Sequence, residues 1–129
     1  MSVSGAGQRI QAEAGGWPGI TMGLHRFGGV EFKLGSREIG HVYGDSLVDI
    51  PLPMGVRNAL VAAGDADPHH VLPHSGWVSV YLNDAGDVDR AIEILRHSFE
   101  IARQQQERRA AQRTASASSA GDETDEATT

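Results

Sequence analysis

The sequence predicts an α+β fold: a five-stranded, mainly antiparallel sheet with helices packed on one face, in the order α-β-β-β-β-α-β-α. Three observations predict it. Between Trp17 and Pro53, short alternating apolar and polar runs are separated by glycine-bearing turns. A further alternating run, Ser75 to Asn83, stands apart from them in the chain. Beyond it, Val88, Ala91, Ile92, Leu95, Phe99 and Ala102 recur at the spacing of one helix face, flanked by Arg90, Glu93, Arg96 and Arg103.

The elements follow in chain order. Val3 to Ala14 carries only Val3 and Ile10 as large apolar residues; it predicts a short helix ended by Gly15-Gly16. Gly19 to Arg26 is the first strand, and the adjacent glycines of HRFGGVEF form the hairpin turn that follows. In the second strand Val30, Phe32 and Leu34 share one face, with Glu31 and Lys33 on the other. Arg37 to Tyr43 is the third strand; strict alternation groups Ile39, His41 and Tyr43 on one side and Glu38, Gly40 and Val42 on the other. Gly44-Asp45 turns the chain into Ser46 to Leu52, where Val48, Ile50 and Leu52 share a face. Val56, Ala59, Leu60 and Ala63 then make a short helix, stopped at Gly64. The fifth strand turns Val78, Val80 and Leu82 inward and Trp77, Ser79 and Tyr81 outward. Asp84 or Asp87 caps the long final helix by accepting a backbone N–H bond.

The chain has 129 residues, enough for a single core. We divide it into an N-terminal helix or arm over 1–16, one α+β domain over 17–106, and a fraying helix end with an acidic tail over 107–129. From Thr114 the chain has no large apolar residue with which to offset its ordering entropy, so the tail is expected to be disordered. The formal net charge is -6, much of it from Asp122, Glu123, Asp125 and Glu126, and the arginines of the folded part are scattered among acids. Nucleic acid is therefore not an expected partner. No run is apolar enough to span a membrane and no signal peptide is visible, so a cytoplasmic location is expected. Cysteine is absent, which excludes disulfides and thiolate chemistry.

Phosphate-loop, dinucleotide, nucleophile-elbow, HExxH and EF-hand motifs are all missing, and no cofactor is implied. Histidine is the unusual feature. Six occur, at 25, 41, 69, 70, 74 and 97, three of them in the loop DPHHVLPH. Pro73 forbids a regular helix through His70 and His74, so the i, i+4 geometry of a helical zinc site does not apply. His69, His70 and His74 either cap backbone groups in solvent, join His41 around a metal, or serve in binding and acid–base chemistry. Trp77 and Tyr81 face away from the expected helix layer; they wall a pocket above His41, meet a partner, or pack under the first helix. Glu31 and Glu38 read as a solvated pair balanced by Lys33 and Arg37.

Taken together, HRFGGVEF, REIGHVYGDSLVDIPLP, the short helix ending in AAG, DPHHVLPHSGWVSVYL and the terminal ILRHSFE resemble a family of small bacterial, archaeal and fungal domains labelled luciferase-like. The resemblance spans about Trp17 to Ala102 and implies a shared fold and pocket rather than a light-emitting reaction. It matches His41 to the family's third-strand histidine and His69 or His70 to one that follows the second helix. Many members carry another histidine where this chain has Tyr43, a poorer ligand for divalent metals. With no thiolate and no carboxylate at a fixed spacing from the loop, no bound metal is expected. The final third also resembles the end of MmcQ/YjbR-like domains, which implies a non-enzymatic interaction or dimerisation module. The leading expectation is a small-molecule ligand held by His41, Tyr43, His69, His70, His74, Trp77 and Tyr81.

Overall fold

The computed structural model describes residues 2–25 and 28–128, with side chains described as far as Ala117. Met1, Arg26, Phe27 and Thr129 lie outside the described residues, and with them Arg26 at the end of the expected first strand and Phe27, which leads into its turn. The order of elements is α1 (Ala6–Ala14), β1 (Ile20–Leu24), β2 (Val30–Leu34), β3 (Arg37–Tyr43), β4 (Leu47–Pro51), α2 (Met54–Ala63), β5 (Asp67–Pro68), β6 (Trp77–Tyr81) and α3 (Ala85–Thr128). The α+β class is as expected, but the sheet has six strands rather than five, in the spatial order β1-β2-β3-β4-β6-β5. The added strand is β5, two residues that pair Asp67 with Ser79 and Pro68 with Val78. An Asp-Pro dipeptide has neither the alternation nor the propensity that marks a strand.

All described pairings are antiparallel. The face under the helices carries Phe32, Ile39, Val42, Val48, Ile50, Val78 and Val80, which are buried together with Ile10 and Ala14 of α1 and Val88, Ala91, Ile94, Leu95, Phe99 and Ala102 of α3. Val56, Leu60 and Val61 of α2 pack at the margin of this core. The predicted stripe of α3 is thus the buried one, apart from Ile92, which is only half covered, while Ile94 and Ser98 join it. Asp84 and Asp87 cap α3 reciprocally. Asp84 Oδ1 accepts from the Asp87 N–H at 2.9 Å, and Asp87 Oδ2 accepts from the Asn83 and Asp84 N–H groups.

One irregularity decides what the other face displays. Between β2 and β3 the partners run Glu31–His41 and Phe32–Gly40, then jump to Lys33–Glu38, leaving Ile39 as an extra residue. The bulge inverts the alternation, so Glu38 shares a face with His41 and Ile39 goes to the core, opposite to the strict-alternation expectation for both. Gly40 makes this fit possible. Its φ is +154°, and a Cβ there would stand 2.5 Å from Leu95 Cδ2 and 3.0 Å from the Asp49 carbonyl oxygen.

The backbone of α3 continues as helix through the segment whose composition suggests disorder. Residues 106–117 are exposed, and a helix that buries nothing has little to stabilise it in water. Deleting Thr114 to Thr129 is therefore expected to leave thermal stability within about 0.5 kcal/mol of the full chain. A larger fall in a calorimetric melt would show that the segment docks. No helix among the described residues is long and apolar enough to cross a membrane.

Candidate functional site

The uncovered face of the sheet is built by register. Glu31, His41, Asp49 and Ser79 lie side by side across β2, β3, β4 and β6, flanked by Tyr43–Leu47–Tyr81 on one side and Pro51–Trp77 on the other. Over its centre folds the loop after β5. The loop is held by the Val71 and Leu72 N–H groups, which both donate to His69 Nδ1 at 3.1 and 3.0 Å. Ser75 Oγ donates to the Leu72 carbonyl at 2.7 Å, and Arg57 donates to the Pro73 carbonyl at 2.6 Å. Loop and sheet enclose a cavity of about 460 Å³ lined by His25, Glu38, His41, Tyr43, His69, His70, Val71, Leu72 and Trp77.

Asp49 is the hub of the floor. Its side chain is fully buried on a central strand, an arrangement tolerated only when the carboxylate is well partnered. Oδ1 accepts from Ser79 Oγ at 2.7 Å. Three imidazole nitrogens surround Oδ2: His41 Nε2 and His69 Nε2 at 3.2 Å, and His70 Nε2 at 3.0 Å. Burial alone would raise the Asp49 pKa, but the hydrogen bonds from His41, Ser79 and His70 outweigh it and hold the carboxyl down at about 2.

His41 is wedged between two carboxylates, with Glu38 Oε2 2.6 Å from Nδ1 and Asp49 beyond Nε2. Burial pushes its pKa down, yet the bonds to Asp49 and Glu38 prevail and raise it to about 9. Its ring stacks on His25 at 4.0 Å between centroids, meets Tyr43 edge-on at 4.9 Å, and lies 5.3 Å from Trp77. His69 behaves oppositely. Its Nδ1 accepts two backbone N–H bonds and must be unprotonated, so its one proton sits on Nε2, facing Asp49. Burial first of all holds its pKa below the usual histidine value. Burial, followed by the two nearby carboxylates, raises the Tyr43 pKa.

The structure thus brings together His41, Tyr43, His69, His70 and Trp77 and leaves two of the expected residues out. His74, beyond Pro73, is exposed and does not line the cavity. Tyr81 shares the sheet face but belongs to a separate depression with Asp65, Asp67 and Arg90. Neither Trp77 nor Tyr81 lies under α1, which packs on α3 and β3. Glu38 is not part of a solvated pair, because the bulge delivers it to His41. Asp49, Ser79 and His25 were not singled out from the sequence.

Floor and walls differ chemically. The floor presents carboxylates and imidazoles that can hold a polar group or a cation; the walls are the rings of Tyr43 and Trp77 with Val71 and Leu72. No curated protein and no solved structure matches this chain. The luciferase domain family does match, over residues 36–98, a span that runs from the start of β3 through the loop histidines into α3. Over that span, a little under half of the chain, the sequence is similar to luciferase domains.

Proposed function

We propose that this protein binds a small, largely apolar, ring-bearing molecule in the cavity between the open sheet face and the loop of residues 69–74. The observation that carries the reading is convergence. One cavity of about 460 Å³, within the usual size of small-molecule sites, joins aromatic and aliphatic walls to a compact polar floor. Trp77 and Tyr43 offer ring faces and edges to the body of the ligand. His41, His70 and Glu38 offer hydrogen bonds to its polar end. The concave shape supports this reading over a flat interaction or dimerisation module, which would present a broad apolar face.

Ligand-observed NMR against a library of mono- and bicyclic aromatic fragments tests the reading. Fragments are expected to bind the wild type, to lose their signal with Trp77→Ala, and to keep it with Tyr81→Ala. Binding that survives Trp77→Ala, or a library with no binder, would contradict it.

A further inference from the structure

We propose that the molecule bound in this cavity is an organic cation, a ring-bearing amine whose ammonium group pairs with Glu38 while its ring lies between Trp77 and Tyr43. The inference rests on the pocket reading above and adds the charge of the ligand to it.

The charges around the cavity come first. Among the described residues that line it there is no lysine or arginine, and the one carboxylate among them is Glu38. A second carboxylate, Asp49, is fully buried at the floor. His41 stands between the two, with Nδ1 2.6 Å from Glu38 Oε2 and Nε2 3.2 Å from Asp49 Oδ2. Even a doubly protonated His41 therefore sets one positive charge against two negative ones. His69 adds none, because its Nδ1 accepts from the Val71 and Leu72 N–H groups. Burial and the two carboxylates hold the Tyr43 pKa up and keep its hydroxyl neutral. His25 and His70 complete the titratable groups of the lining. With both neutral, the site keeps one net negative charge in a concave, partly dry space, which favours a cation and disfavours an anion.

Glu38 has acceptor capacity to offer that cation. Oε2 is engaged by His41, whereas Oε1 stands 4.0 Å from His25 Nε2, beyond hydrogen-bond reach. The rings are gathered around the same point. Tyr43 and Trp77 have their centroids 4.9 and 5.3 Å from that of His41, the imidazole to which Glu38 is bonded. An ammonium group is attracted to aromatic faces within about 6 Å of the ring centre, and a carboxylate set among such rings recognises it by charge and by hydrogen bond together.

Ring orientation favours an organic cation over a metal ion. Among the described residues, two groups hold three donor atoms within 4.8 Å of one another: His25, Glu38 and His41, and Asp49, His69 and His70. In each group the two imidazoles are stacked, at 4.0 Å and 26° in the first and 4.3 Å and 25° in the second. Nitrogen lone pairs lie in the ring plane, so stacked rings aim theirs side by side rather than at one ion.

Saturation-transfer NMR titrations of the full chain with tryptamine, tryptophol and indole-3-propionate, with EDTA present, test the proposal. The three share a ring system and differ in the charge of the end group; at about pH 8 an unperturbed imidazole is neutral and an alkylamine is still charged. The amine is expected to bind about 10-fold or more tighter than the alcohol, and the acid most weakly. Glu38→Gln is expected to bring the amine within about 3-fold of the alcohol without changing the affinity for the alcohol. Glu31→Gln alters a carboxylate paired in register with His41 that does not line the cavity, and is expected to keep the amine's advantage. Alcohol or acid binding as tightly as the amine would overturn the proposal, and that comparison needs only the wild type. An amine advantage that survives Glu38→Gln, in protein with an unchanged circular dichroism spectrum, would overturn it as well. If all three bind equally and all are lost with Trp77→Ala, the pocket reading stands and the inferred charge falls; if none binds, both fall.

Discussion

Replacing Phe99 by Ala is expected to cost about 3–5 kcal/mol of unfolding free energy, because a fully buried aromatic ring is removed from the contact between α3 and its neighbours. The Phe99 ring lies 5.4 Å from that of Trp17, and the Arg96 guanidinium covers both at 5.0 and 5.3 Å. Leu95→Ala is expected to fall in the same class, at about 2–5 kcal/mol, since Leu95 meets the bulge at Gly40. Urea denaturation followed by fluorescence measures both. A loss below about 1 kcal/mol at Phe99 would mean that α3 does not cover the sheet as described.

The second large effect is expected at Asp49. Asp49→Ala removes the acceptor for Ser79 and for the imidazoles above it, leaving buried donors without partners, and should cost about 3–5 kcal/mol. Ser79→Ala removes one neutral donor and should cost about 1 kcal/mol. The comparison distinguishes an organising carboxylate from a merely tolerated one: near-equal losses for the two variants would make Asp49 incidental.

How much of this was legible in the sequence depends on what each residue's neighbours reveal. Alternation found β2, β4 and β6, and helical spacing found the buried stripe of α3, because both report directly which side of an element avoids water. The same logic turns Trp77 to the open face, but for His41 and Tyr43 it gives only a strand side shared with Ile39, not which side is open; His69 and His70 come from their loop. Glu38 escaped because alternation assumes an uninterrupted strand. The warning was Gly40 inside REIGHVY, since a glycine within a strand marks a bulge. Asp49 was overlooked although it sits between Val48 and Ile50 on a central strand, where an unpartnered charge is not tolerated; that conflict between residue type and place was a readable signal. His74 was wrongly grouped with its neighbours because spacing along a loop does not give direction. β5 had no signal of its own: its two residues pair only because α2 delivers them to the edge of β6.

His41, His69 and His70 meet at one carboxylate, and long-range ¹H–¹⁵N spectra of the histidine rings, compared between the wild type and Asp49→Asn, read that arrangement out. His69 is expected to be the neutral form protonated on Nε2 alone, and the Nε2 signals of His41, His69 and His70 are expected to shift together on substitution while those of His74 and His97 stay in place. A His69 protonated on Nδ1, or loop histidines that do not respond to Asp49→Asn, would contradict it.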